Sequence, residues 1–237
     1  MRELLYVSQT KLHTFHLPPR KFARLGSEVE LSLPAARIRV SSPPDNAQGA
    51  DMSAKLTQVA KRLRKEAKTS TDPSLSPGEW FFFDHEMSCG TAEVVSGDFP
   101  HVALFYPDRT DSGLWWDGPV LCGSAGHLTF PQADLGRPAN GTSNLRWLFR
   151  RIDEDERGLH RFDDTASSVR RAIGGLVDKL DRTRGHYLVN LRLSGLARAL
   201  YVCPPATDPP RLGMHAEGRL VVGTPLYVEV GPWNPKW

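Results

Sequence analysis

The sequence predicts an α+β fold, mostly antiparallel sheet packed against about three amphipathic helices. Strand-like and helix-like segments arrive in runs rather than in strict alternation, which argues against a doubly wound parallel sheet. The middle of the chain, "WFFFDHEMSCGTAEVV", "HVALFYPD" and "PVLCGSAGHLTF", is rich in aromatic and β-branched residues. No crossover helix separates these segments, so antiparallel pairing is expected. Farther along, Val169, Ala172, Ile173, Leu176, Val177 and Leu180 recur at helical spacing on one face.

In chain order, "ELLYVS" reads as an opening strand. It is followed by "EVELSLP" and "ARIRVSS", whose alternating Val29, Leu31, Leu33 and Ile38, Val40 predict a hairpin at Pro34. The region 41–52 carries Pro, Gly and small polar residues without periodicity and is read as a mobile loop. Leu56, Val59, Ala60, Leu63 and Ala67 predict a helix from Ser53 to about Lys68, with Lys55, Lys61, Arg62, Arg64, Lys65 and Lys68 on its outer face. A second mobile loop is expected near 69–78. After the strand-rich middle, Ser143 can cap a helix through Asp153. Asp164 or Thr165 starts another, which Arg184-Gly185 ends. "HYLVNLRLSGLARALYVC" and "RLVVGTPLYVEV" close the chain as strands, and residues 1–237 are read as one domain.

Apolar residues at 40% and charged residues at 24% are globular values, which excludes a disordered or fibrous chain. No apolar stretch approaches the roughly 18 residues of a membrane span, and the opening apolar run is too short for a signal-peptide core. A cytoplasmic protein without membrane contact is expected. Cys89, Cys122 and Cys203 are odd in number and lie in or beside apolar segments, as reduced buried thiols do. No metal and no cofactor are expected. The net charge of +3 is uneven: residues 71–141 hold ten Asp/Glu against two Arg, or −8, which leaves +11 for the rest. Such asymmetry suits either complementary surfaces within the fold or one basic face for an acidic partner.

The opening "LLYVSQTKL", the central "VLCGSAGHL" and the ending "GTPLYVEV" together resemble a family of uncharacterised proteins common in streptomycetes and related actinobacteria. Its members open with a Leu-Tyr-x-Ser strand, carry a Gly-Ser-Ala-x-His loop and close on a Pro-Leu-Tyr-Val strand. The resemblance implies an actinobacterial, cytosolic, single-domain protein and draws attention to Ser124 and His127. It implies no activity.

In that loop Gly123 and Gly126 would let the backbone approach a ligand closely, Ser124 offers a hydroxyl, and His127 offers a donor, acceptor or base. Turn N–H groups there could meet a phosphate or carboxylate. No lysine stands at P-loop spacing, and the competing reading is a tight turn in which His127 only packs. Trp115 and Trp116 lie between turn residues and would roof a pocket, with Arg109 as a further ligand-binding candidate. Asp84 and Glu86 share one face of a strand while His85 points away, so the three cannot chelate one ion locally. Asp84, Glu86 or His101 would have to be brought to Ser124 and His127 by the fold to serve as acid or orienting group. His127-x-Thr129 matches half of a two-histidine phosphoesterase pattern, but His101, His160 and His186 lack the hydroxyl that a second copy needs. Lys61, Arg62 and Lys65 suit weak, sequence-independent contact with polyanions, without any helix-turn-helix or RNA-binding signature.

These residues favour a small-molecule-binding or regulatory module with a pocket near the "CGSAGH" loop. One alternative is a hydrolase or transferase that uses His127 as acid or base with Ser124. Another is a nucleic-acid-binding accessory protein acting through the basic helix 53–68.

Overall fold

The computed structural model describes residues 3–15, 46–92, 102–107, 118–129, 165–183, 186–205 and 218–232. Among them are the strands β1 (Leu4–Val7), β2 (Lys68–Thr69), β3 (Trp80–Ala92), β4 (Val102–Pro107), β5 (Pro119–Ser124), β6 (His186–Cys203) and β7 (Leu220–Val230). The helices are α1 (Gln9–Thr14), α2 (Asn46–Leu63) and α3 (Ala166–Thr183), and a short 3-10 turn, Ala125–His127, follows β5.

Five strands close into a barrel. β3 pairs with β4, and β4 with β5, both antiparallel. β5 then runs parallel to β7, and β7 returns through antiparallel β6 to β3. Closure leaves no long unpaired edge. Counted within the barrel the order is first, second, third, fifth, fourth, with α3 between the third and fourth. This is the strand order of an OB-type Greek-key barrel. The expectation of mostly antiparallel sheet packed on helices is therefore refined. The sheet curls on itself, and β5–β7 and β2–β3 are parallel pairs. Between β5 and β7 the chain travels through α3 and β6, and so long a connection allows the two strands to point the same way.

Side-chain alternation explains why both faces of the strands are apolar: both are covered. The interior holds Phe81, Phe83, Met87, Ala103, Phe105, Leu121, Leu193 and Val221. β3 neighbours neither β5 nor β7, yet a Cβ placed at Gly223 would stand 2.7 Å from the Phe81 ring and 3.2 Å from Leu121. Phe81 thus crosses the barrel and fills its centre, and its burial contributes about 2–3 kcal/mol. Outside, the Val169–Leu180 stripe of α3 packs on Leu104, Tyr106, Val120, Cys122 and Val222. Its first turn is capped by Thr165, whose hydroxyl accepts the Ser168 N–H at 3.3 Å. On another outer face Leu56, Val59, Ala60 and Leu63 of α2, with Leu12 of α1, cover Phe82, Leu196 and Leu226.

Two boundaries differ from the sequence expectation. α2 starts at Asn46, inside the segment read as a loop, because the alanines around Gly49 carry helix propensity that the single glycine does not cancel. It ends at Leu63 rather than Lys68, which joins β2. The 69–78 segment is tied to the body: Leu75 is buried, its carbonyl accepts Arg219 at 2.9 Å, and Asp72 Oδ1 accepts the Ser74 N–H at 2.8 Å. The hairpin expected over 29–40 and the helix expected over 143–153 lie outside the described residues. Cys89, Cys122 and Cys203 are free and buried. No helix among the described residues is long and apolar enough to cross a membrane.

Candidate functional site

β5 pairs with only the first residues of β7, up to Gly223. β1 takes over the same edge farther on, with Tyr6 opposite Val228 and Val7 opposite Tyr227. The chain after the 3-10 turn then bridges back to β1. Tyr6 pairs with Leu128, the Thr129 N–H meets the Leu5 carbonyl at 2.9 Å, and the Thr129 hydroxyl meets the Leu4 carbonyl. The "CGSAGH" segment is in this way stitched to the first strand of the protein.

The Tyr6 side chain turns into this end of the barrel. Its ring stands edge-on to Phe105 at 5.9 Å and to His127 at 5.6 Å. A Cβ at Gly123 would come within 2.7 and 2.9 Å of the Tyr6 ring carbons, and closer still to the hydroxyl. What the glycine-rich loop approaches is therefore the Tyr6 phenol, and Gly123 lacks a side chain so that the two can meet. Gly126 is exposed.

The phenol oxygen is the centre of a small network. It bonds His127 Nδ1 at 3.2 Å, the Ser124 backbone N–H donates to it, and the Ser8 hydroxyl also contacts it. Burial pushes the Tyr6 pKa well above the usual phenol value, so the oxygen keeps its proton. In the Tyr6–His127 bond either group can be the donor, according to the imidazole tautomer, and Nε2 is the ring nitrogen turned from the phenol. Burial, and then the nearby positive charge of Lys11, lowers His127 to about 4. At neutral pH the imidazole is uncharged.

Lys11 completes the cluster from α1, a helix that Ser8 caps by accepting the Lys11 N–H at 3.4 Å. Its Nζ donates to Thr224 Oγ1 at 2.7 Å and to the Pro225 carbonyl at 2.8 Å. No carboxylate among the described residues pairs with it. Burial lowers its pKa to about 7. Neither Tyr6 nor Lys11 is a candidate from sequence alone. The one available signal is Ser8, an N-cap residue three positions before Lys11, which would have marked α1.

The predicted partners divide sharply. Ser124 and His127 share the Tyr6 network, although the imidazole bonds the phenol and not Ser124. Ser124 pairs with Val102, which pairs with Ala92, so Asp84 lies eight residues before that level of β3. At strand rise this is on the order of 25 Å. Asp84 instead accepts from Arg192 Nε at 2.6 Å, and Glu86 is exposed two residues on. His85 bonds the Ser70 hydroxyl at 3.1 Å. The fold does not bring Asp84 or Glu86 to His127. His101, Arg109, Trp115 and Trp116 lie outside the described residues. Lys61, Arg62 and Lys65 are exposed at the end of α2 and in the turn after it. Lys68 is tied to Glu79 at 2.7 Å, away from that face. Among the described residues no group of three or more His, Cys, Asp or Glu could hold a metal ion.

The model of a family of unknown function, DUF7019, matches residues 2–231. No curated protein and no solved structure matches the chain.

Proposed function

The chain belongs to DUF7019, a family of unknown function, and from its own residues we propose a small-molecule-binding module whose ligand meets the Tyr6, Lys11, Ser124 and His127 end of the barrel. The observation that carries this reading is a set of polar groups gathered without a counter-charge. Among the described residues Lys11 has two neutral acceptors and no carboxylate partner, and His127 bonds the phenol through Nδ1 and keeps Nε2 for a ligand. An oxygen-rich ligand answers both.

Barrels of this strand order commonly bind oligonucleotides or oligosaccharides on the outer face of the second and third strands. Here α3 covers that face through Leu104, Tyr106, Val120 and Cys122, which moves the support to the barrel end. The enzyme alternative is weaker because the imidazole bonds the Tyr6 phenol rather than the Ser124 hydroxyl that it would have to activate. No carboxylate among the described residues orients the ring either. The three buried, unpaired thiols support a reducing, cytoplasmic setting.

A thermal-shift panel of organic acids, sugar phosphates and nucleotides tests the reading on wild-type protein and on His127→Phe. A true ligand at about a hundredfold its Kd should raise the wild-type Tm by about 5 °C, and by clearly less in His127→Phe. A panel silent on the wild type, or shifts that survive the substitution unchanged, would remove the proposal.

A further inference from the structure

We infer that the outward face of α2, with the turn at residues 64–66 that follows it, is a docking surface for the phosphate backbone of a nucleic-acid duplex, held by Lys55, Lys61, Arg62 and Lys65. The inference does not depend on the ligand-binding role proposed above.

These cations are set apart by having no partner. Lys61, Arg62 and Lys65 are exposed, Lys55 is partly exposed, and no carboxylate among the described residues pairs with any of them. Cations elsewhere on the body are engaged. Lys68 sits on Glu79 and Arg192 on Asp84. Arg198 and Arg219 donate to backbone carbonyls, and Arg171 donates to the Ser167 and Ser168 hydroxyls. Even Arg64, one residue before Lys65, lies over the Phe82 ring at 5.8 Å. Attraction to the C-terminal end of the helix dipole accounts for Lys61 and Arg62 in the last turn of α2. It does not reach Lys55, which stands about two turns earlier.

The four cations also share one side. At about 3.6 residues per turn they fall within roughly a third of the helix circumference, opposite the Leu56, Val59, Ala60 and Leu63 stripe that packs on the barrel. From Met52 to Ala67 the one acid is Glu66. Lys55 to Lys65 spans about 15 Å along the axis, a length over which one strand of a duplex carries about four phosphates. Charge density on the two sides therefore matches. The stretch from Met52 to Ala67 has no aromatic residue to stack on unpaired bases. An anionic membrane would need apolar side chains on the same face as the cations, and those of α2 are used against Phe82, Leu196 and Leu226. A duplex backbone asks only for the charge.

The test is fluorescence anisotropy of a labelled DNA duplex of about 20 base pairs, titrated with the full chain between about 50 and about 200 mM salt. Counterion release from three or four phosphates gives a log–log slope of about −3, which lowers affinity roughly sixtyfold over that range. Changing Lys55, Lys61, Arg62 and Lys65 together to Gln should abolish binding, and each single change should reduce the slope by about one. Arg192→Gln removes the same charge from an engaged cation and should leave affinity and slope as they are. No binding near 50 mM salt, a quadruple variant that binds like wild type, or an equal loss in Arg192→Gln overturns the inference. Tighter binding to a single strand of the same length, or to phosphatidylserine vesicles, also overturns it, and would give the face to unpaired bases or to a membrane.

Discussion

At the end of the barrel where β3 and β7 begin, the interior is closed by Leu75, which is 3% exposed and joins the core of Phe81 and Phe83. At the opposite end it is closed by Tyr6, 1% exposed, which joins the same core through Phe105. The two plugs are equally buried and chemically opposite. Leu75 needs only room, and its burial contributes about 2 kcal/mol. Tyr6 needs room and partners: Gly123 must lack a side chain, Ser124 must give its N–H, and His127 must share a hydrogen bond through Nδ1. Burying those polar groups carries a desolvation cost that an apolar plug avoids. The polar end is thus where this fold accepts a cost that closure alone does not require, which supports a role in recognition.

The largest expected effect breaks the apolar end. Leu75→Ala should lower stability in urea denaturation by about 3 kcal/mol, since the void cannot collapse inside a closed barrel. The loss should be the same near pH 6 and near pH 8, because Asp72 and Glu79 near Leu75 are held below the usual carboxylate range by hydrogen bonds from Ser74 and Lys68 and stay ionised across that interval. A loss below about 1 kcal/mol would mean that Leu75 is not the plug.

The contrast between the ends also marks what could be read in the sequence. The α3 stripe was legible because six apolar positions recur at the helical period, and the central strands because aromatic and β-branched residues cluster in them. Barrel closure was not, since it depends on register shifts between β6 and β7, after Leu196 and after Ala199, that no pattern announces. At the site, Gly123, Ser124 and His127 were legible as a loop built for close approach. Its partner was not: Tyr6 and His127 are 121 residues apart in the chain. Lys11 was hidden because the expected opening strand ends at Ser8 and no element was expected directly after it, where Ser8 in fact caps a helix of only six residues.

A smaller effect sharpens the polar end through pH. The Lys11 pKa falls from an ordinary 10.5 to about 7 on folding, so between those values the unfolded chain holds more protons than the folded one. Stability from this group therefore rises with pH above about 7, by at most about 1.4 kcal/mol per unit. Cys89, which burial pushes up to about 12, has the opposite sign once an unfolded thiol ionises. The comparison is cleanest as wild type against Lys11→Met, measured near pH 7 and near pH 8.5. Wild type should gain up to about 2 kcal/mol relative to the variant over that interval. Parallel pH profiles for the two proteins would show that Lys11 is not held as a depressed amine.

The smallest effect isolates the phenol oxygen. Tyr6→Phe keeps the ring that closes the barrel and its edge contacts with Phe105 and His127, and removes only the hydroxyl. The Ser124 N–H and His127 Nδ1 each lose a partner, and a loss of about 1–2 kcal/mol is expected. The His127 pKa should stay well below its ordinary value, because burial and Lys11 set it and neither is touched. The tautomer should not stay fixed, since the hydroxyl that bonds Nδ1 is gone. Imidazole 15N shifts near neutral pH should show a single tautomer in wild type and a mixture in Tyr6→Phe. A single form in both proteins would mean that the phenol does not choose the donor, and that the polar plug is closure alone.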